Sequence, residues 1–152
     1  MGHIHAEVHW DAPVDRVFDI ASDVTLLPQV MPSIKDLIKI GGAAGEAGST
    51  YSFRSSFLGR PRAGRFEVLA ADRPSLFSTL TTYDDGISMT WTQRFTAAGT
   101  GTDEVDDVEY RLQPGIASAL LGPLVRRAVE SEGRKSVRRF ADLLMAKPAS
   151  GG

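Results

Sequence analysis

Residues 87–113 read Ile87-Ser88-Met89-Thr90-Trp91-Thr92-Gln93-Arg94-Phe95-Thr96-Ala97, then Ala98-Gly99-Thr100-Gly101-Thr102, then Asp103-Glu104-Val105-Asp106-Asp107-Val108-Glu109-Tyr110-Arg111-Leu112-Gln113. Side chains alternate across a strand with a period of two, so Met89, Trp91, Gln93 and Phe95 share one face and Arg94 takes the other. Val108, Tyr110 and Leu112 resume the pattern beyond a Gly-Thr-Gly turn that is long enough only for an antiparallel hairpin. The stretch therefore predicts strands over 87–97 and 103–113.

The same alternation runs backwards from this hairpin through strands at 75–83, 62–71, 49–58 and 34–40. Turn chemistry separates them at Asp84-Asp85-Gly86, Asp72-Arg73-Pro74, Gly59-Arg60-Pro61 and Gly41-Gly42, and such short links make a meander. One face collects Tyr51, Phe53, Ser55 and Phe57, then Phe66 and Val68, then Phe77, Thr79, Thr81 and Tyr83. Residues 3–10 form a further strand, with Ile4, Ala6, Val8 and Trp10 inward and His3, His5, Glu7 and His9 outward. Pro13 suits the first turn of a short helix carrying Val14, Val17, Phe18 and Ala21, and Pro28 and Pro32 confine the next apolar stretch to a second short helix or turn.

Beyond Pro114-Gly115 an amphipathic helix runs over about 116–145. Its stripe drifts: Leu121, Val125 and Val129 mark one side, while Val137, Phe140 and Leu144 lie roughly 120° further round. Gly133 between the halves marks either a bend or room for a packed neighbour. A seven-stranded twisted sheet buries such a helix by curling round it, which predicts an α+β fold in which the sheet grips the helix.

The chain has 152 residues, of which 42% are hydrophobic and 24% charged, the composition of one globular domain. That domain is placed at 1–146, with 147–152 a small, polar, flexible tail. Seventeen Lys and Arg against nineteen Asp and Glu give a net charge of -2, so nucleic acid is not an expected partner. The absence of cysteine excludes disulfides, zinc-thiolate sites and a thiol nucleophile. With no secretory pattern at residues 1–6 and no apolar run of about 18 residues, a cytoplasmic protein without membrane insertion is expected.

Trp10-Asp11-Ala12-Pro13, Val17-Phe18, Ser22-Asp23, Pro28, Pro32, Gly99-Thr100-Gly101-Thr102 and the terminal helix occur in an order that resembles the START-like, or SRPBCC, superfamily over residues 3–146. That superfamily includes polyketide cyclase/dehydratase, coenzyme Q-binding and pollen-allergen-like proteins. The resemblance implies a helix-grip fold: a seven-stranded antiparallel sheet, two short helices after the first strand, and a cavity between sheet and long helix that takes apolar or aromatic molecules. Some relatives cyclise poly-β-ketones, some carry lipids, quinones or natural products, and some regulate chaperones. No cofactor is implied.

On that basis the candidate ligand contacts are Tyr51, Phe53, Ser55, Phe57, Phe66, Phe77, Thr79, Thr81, Met89, Trp91, Gln93, Phe95 and Tyr110 from the sheet, with Val125 and Val129 from the helix. The plainer alternative is that the aromatic residues merely fill the space under the helix. For catalysis the candidates are Tyr51, Gln93, Tyr110 and Glu132. Glu132 falls within roughly 20° of Leu121 on the helix, so it either faces inward with a raised pKa or, if the helix bends, reaches Lys135 or Arg139 at the surface.

Other motifs have milder readings. His3, His5, His9 and Glu7 are solvent groups on an outward face and no metal site is expected. The run Asp103-Glu104-Val105-Asp106-Asp107 lacks calcium-loop spacing and reads as a solvated hairpin. Arg54 and Arg94 lie opposite the aromatic face, which argues against a cyclase that needs an internal arginine. Gly41-Gly42-Ala43-Ala44-Gly45-Glu46-Ala47-Gly48 has no phosphate-loop lysine and reads as a flexible loop, a candidate lid at the cavity mouth. Three functions follow: a carrier or sequestering protein for an aromatic or polyketide-like small molecule, a polyketide cyclase/aromatase-like enzyme, or a protein-interaction module. Monomer and homodimer are both compatible with the sequence.

Overall fold

The computed structural model describes residues 2–56, 59–112 and 116–146, with helix side chains from 122 onward. Its strands are β1 (Gly2–Trp10), β2 (Ile34–Gly41), β3 (Thr50–Ser55), β4 (Arg62–Asp72), β5 (Leu76–Tyr83), β6 (Ser88–Ala98) and β7 (Gly101–Arg111). Helices are α1 (Val14–Ser22), α2 (Leu27–Val30), which follows a single 3-10 turn at Val24–Leu26, and α3 (Ile116–Ala146). The strand order is β1-β7-β6-β5-β4-β3-β2, with every neighbouring pair antiparallel. This is the helix-grip arrangement. β1 and β2 are consecutive in the chain but stand at opposite edges, so the α1–α2 segment must cross from one edge to the other.

Most strand ends fall within a residue of the sequence pattern, and β3 and β7 depart further. β3 stops at Ser55, because Ser56 already turns, donating its N–H to Ser33 O and accepting from Gly59 N. β7 begins at Gly101, two residues earlier than the acidic composition suggested, because β6 pairs with it down to Ala98↔Gly101. The tail at 147–152 lies outside the described residues.

Helix α1 opens where Pro13 fixes φ at -60°, and its first turn closes through Val17 N–H to Pro13 O (3.1 Å). Asp15 sits in that first turn, where a negative charge meets the exposed amide ends. Val17, Val68 and Val125 lose all accessible surface, joining α1, β4 and α3 in one core. Phe18 stands edge-on to Phe77 and Phe95 at 6.4 and 5.9 Å, and Trp10 lies 4.7 Å from Phe140 on α3. Arg16 donates to Leu144 O (2.6 Å), fastening the far end of α3 to α1.

Outside the sheet, His3 and His5 each bond Asp107 Oδ1 (both 2.9 Å) and His9 bonds Asp103 Oδ1 (2.8 Å), stitching β1 to β7. On the opposite edge β2 is interrupted: Lys35 pairs with Arg54 and Ile38 with Ser52, and Asp36 in between takes φ 54°.

Two glycines play opposite parts. A Cβ on Gly64 would come within 2.4 Å of the Phe53 ring, whereas a Cβ on Gly133 meets nothing within 4 Å. Gly133 therefore makes no room for a neighbour, and α3 continues through it. Gly64→Ala is expected to lower stability by about 1–3 kcal/mol and Gly133→Ala to raise it by about 0.5–1 kcal/mol. Urea titration of both variants checks this.

Candidate ligand-binding site

Where the α1–α2 crossing and the second half of α3 lean over the sheet, they leave a cavity of about 120 Å3. Its floor is the inner face of β4 to β7, and its walls are Ile20, Val24, Leu26, Val30 and Phe140 with their neighbours. Val137 lines it although 39% exposed, so the mouth opens beside that turn of α3.

Of the residues expected from the sequence, Phe66, Phe77, Thr79, Thr81, Met89, Trp91 and Gln93 line this cavity. Others are buried away from it. Phe53 packs on Tyr83, Phe95 stands behind Phe18, and Val125 and Val129 fill the core under α3. Tyr110 is covered at Gly2, Ser55 is buried in β3, and the Tyr51 hydroxyl accepts the Gly45 N–H (3.0 Å). Phe57 lies outside the described residues. Glu132 is half-buried, accepts a hydrogen bond from Ser33 Oγ (3.1 Å) and is not among the cavity residues. The loop at 41–48 contributes no lining residue either, and Gly48 N–H and Ser49 O pin its end to Val68.

The acidic run departs from its expected solvated state. Starting β7 at Gly101 continues the inward series Tyr110, Val108 back through Asp106, Glu104 and Thr102, so two acids of the run, Glu104 and Asp106, turn inward. Glu104 is 5% exposed and lines the cavity together with Asp106. Trp10 Nε1 donates to Glu104 Oε1 (2.8 Å) and Gln93 Nε2 to Glu104 Oε2 (3.1 Å). Asp106 is pushed up to about 10 by burial and by the adjoining Glu104, with which it shares a hydrogen bond; the Trp91 N–H opposes the shift.

The raised pKa keeps a proton on Asp106, and the hydrogen bond it shares with Glu104 holds that proton. Asp106 Oδ1 and Trp91 Nε1 are buried in the cavity wall without a well-formed hydrogen bond, the Trp91 N–H interacting with Asp106 only weakly. Each such atom costs about 1–3 kcal/mol until something bonds it. The cavity thus has a mainly apolar body and a polar end that offers an indole donor and two carboxyl groups.

An inward arginine was also missed. Arg62 alternates with Phe66 and Val68 on β4, is 8% exposed and pairs with Asp85, while Arg54 and Arg94 are exposed as expected. It lies beyond the cavity, beside Tyr83, whose hydroxyl burial pushes up to about 12. No group of His, Asp or Glu among the described residues could hold a metal ion, and no described helix is long and apolar enough to cross a membrane.

A family described as polyketide cyclase / dehydrase and lipid transport matches residues 1–145. Among solved structures, the chain is similar to Ara h 8.0201, with TM-score 0.74, 14% identity, and coverage of 96% of this chain and 99% of that one. It is similar to TTHA0849 from Thermus thermophilus at TM-score 0.74 and 19% identity, covering 95% and 98%. A point mutant of norcoclaurine synthase from Thalictrum flavum, in complex with a transition-state analogue, gives TM-score 0.72 and 17% identity over 95% and 94%. At these identities the likeness is one of fold. No curated protein matches the sequence.

Asp106 keeps in the native state a proton that the unfolded chain releases near pH 4, so its contribution to stability is full below that pH and is lost as pH rises toward about 10. Asp106→Asn removes this slope: relative to wild type, the variant gains stability progressively from pH 5 to pH 9. Denaturant titrations at three pH values test it, and parallel curves would count against a buried neutral acid.

Proposed function

The chain belongs to the polyketide cyclase / dehydrase and lipid transport family, and from that premise we propose that it holds an apolar small molecule, aromatic or polyketide-like, in the cavity between sheet and α3, as a carrier or sequestering protein. The observation that carries this reading is the pair of buried atoms Trp91 Nε1 and Asp106 Oδ1, neither in a well-formed hydrogen bond, set into a mainly apolar wall that also carries Thr79, Thr81 and Gln93. A guest hydroxyl that accepts from Trp91 Nε1–H and donates to Asp106 Oδ1 satisfies both, and its body covers the surfaces of Phe66, Phe77 and Met89. The exposed Val137 and the half-buried α2 give the guest an entry that leaves the sheet intact. Family and fold are consistent equally with hydrophobic-ligand binding and with cyclase-like chemistry.

Native mass spectrometry of the protein purified from its source cells, followed by thermal-shift titration with quinones, fatty acids and aromatic polyketides, tests the reading. A co-purifying apolar mass or saturable stabilisation is expected; neither, across all three classes, would sink it. Trp91→Phe keeps the ring face and removes the N–H. It is expected to weaken an oxygen-bearing guest by about 1 kcal/mol, roughly fivefold in Kd, without lowering the stability of the empty protein. Equal affinity in the variant would remove Trp91 from the polar end.

A further inference from the structure

We propose that two copies of this chain pair through their β1 strands, antiparallel about a twofold axis at Ala6, so that the two sheets run on as one. β1 is a nine-residue edge strand that matches β7 residue for residue, without bulge or proline, and its other side pairs with no described strand. Such an edge offers an unused row of amide and carbonyl groups, and proteins blunt it with charges, proline or a bulge unless a partner takes it. β2 at the opposite edge has its register broken at Asp36 and carries two lysines, whereas β1 carries one fixed charge, Glu7. Two contacts show which groups face the open side. Trp10 O points at Gly101 in β7, within 2.6 Å of where a Cβ would stand, and Arg126 Nη1 donates to His3 O (3.1 Å) from α3. Bonding alternates along an antiparallel pair, so the even residues bond β7 and His3, His5, Glu7 and His9 present their backbone groups to the open side.

The strand is complementary to itself in one register. An axis at Ala6 sets His5 of each copy opposite Glu7 of the other, His3 opposite His9, and Ile4 opposite Val8. Every hydrogen-bonded pair then joins odd residues, whose groups are the ones on offer. An axis at His5 or at Glu7 would set two imidazoles or two carboxylates face to face, and an axis between residues would face free groups with bonded ones. On the outer face each Glu7 carboxylate, 3.8 Å from its own His5, gains a second imidazole. On the inner face the partly buried Ile4 and Val8 extend the margin of one core to the other across the exposed Ala6. Ala6 brings the smallest side chain between them to the axis, where the facing Cα atoms approach to about 4.5 Å. Arg126 is also engaged by Glu130, and His3 O keeps a second lone pair for the His9 N–H of the other copy. Because β2 is broken, the joined sheet stops at both ends and the assembly closes at two copies.

Sedimentation velocity of the full chain, from micromolar to millimolar concentration, is expected to show a reversible dimer. Glu7→Pro removes an N–H on the open side and leaves the β7 ladder intact, so it should raise the dissociation constant at least about tenfold. Ile38→Lys on the β2 edge should leave it unchanged. The chain has no cysteine, so single cysteines report the register. Ala6→Cys places two thiols across the axis within disulfide reach, and on oxidation it should give covalent dimer at least about tenfold faster than His9→Cys, whose two copies lie far apart. Melting curves confirm that each variant is folded, and Glu7→Lys, which sets a cation against His5, replaces Glu7→Pro if that variant is not. A chain that stays monomeric throughout, a dimer that survives the Glu7 substitution or is lost in Ile38→Lys, or equal cross-linking of the two cysteine variants overturns the pairing.

Discussion

A carboxyl group buried in a protein is costly unless donors replace its water, and Glu104 obtains its donors from both neighbouring strands. Trp10 reaches it from β1 and Gln93 from β6. The same Trp10 ring packs at a tilt against Phe140, so the hydrogen bond that satisfies the acid also sets where α3 rests against the sheet. Thr102 Oγ1 completes the corner by donating to Ala12 O (2.7 Å), which holds the start of the α1–α2 crossing over the same strand. The position of the crossing, the lean of α3 and the cavity between them all depend on that corner.

The cavity is a result of connectivity as much as of side-chain size. Since β1 and β2 occupy opposite edges, the segment joining them has to traverse the open side of the sheet. Helices of nine and four residues are too short to seal it. α3 covers the remainder, yet its buried stripe at Val125 and Val129 turns away before Phe140, leaving Val137 partly in solvent. The unfilled volume lies where these two covers fail to meet. Its polar end faces the strands whose hydrogen-bond register is the most continuous, β6 with β7, and this gives the acids a rigid base.

Period-two alternation and turn residues made the strands, their order and the gripped helix legible in the sequence, and the family resemblance read from the Trp10–Pro13 opening agrees with the family match. Half of the inward aromatic face also proved to border the cavity. What alternation cannot tell is which inward residues are pressed by a helix and which are left uncovered, and this separates Phe53, Phe95 and Tyr110 from Phe66, Phe77 and Met89. Glu104 and Asp106 were hidden for a different reason. A run of acids reads as solvated by composition, although the alternation of Val108 and Tyr110, carried two steps further back, points both of them inward. Arg62 shows the same conflict on β4. In each case the geometric signal was present and the charge of the side chain outweighed it.

The irregularity in β2 governs how the sheet ends. An approaching strand needs an unbroken row of amide and carbonyl groups at regular spacing. Asp36, held at φ 54° between mismatched pairs, breaks that row, and Lys35, Asp36 and Lys39 place charges on either side of the break. Ile38 and Ile40 are exposed nearby and would otherwise invite sheet growth from another molecule. One residue's backbone conformation thus acts as a terminator, permitting an apolar edge in solution while denying it the template on which fibrils extend.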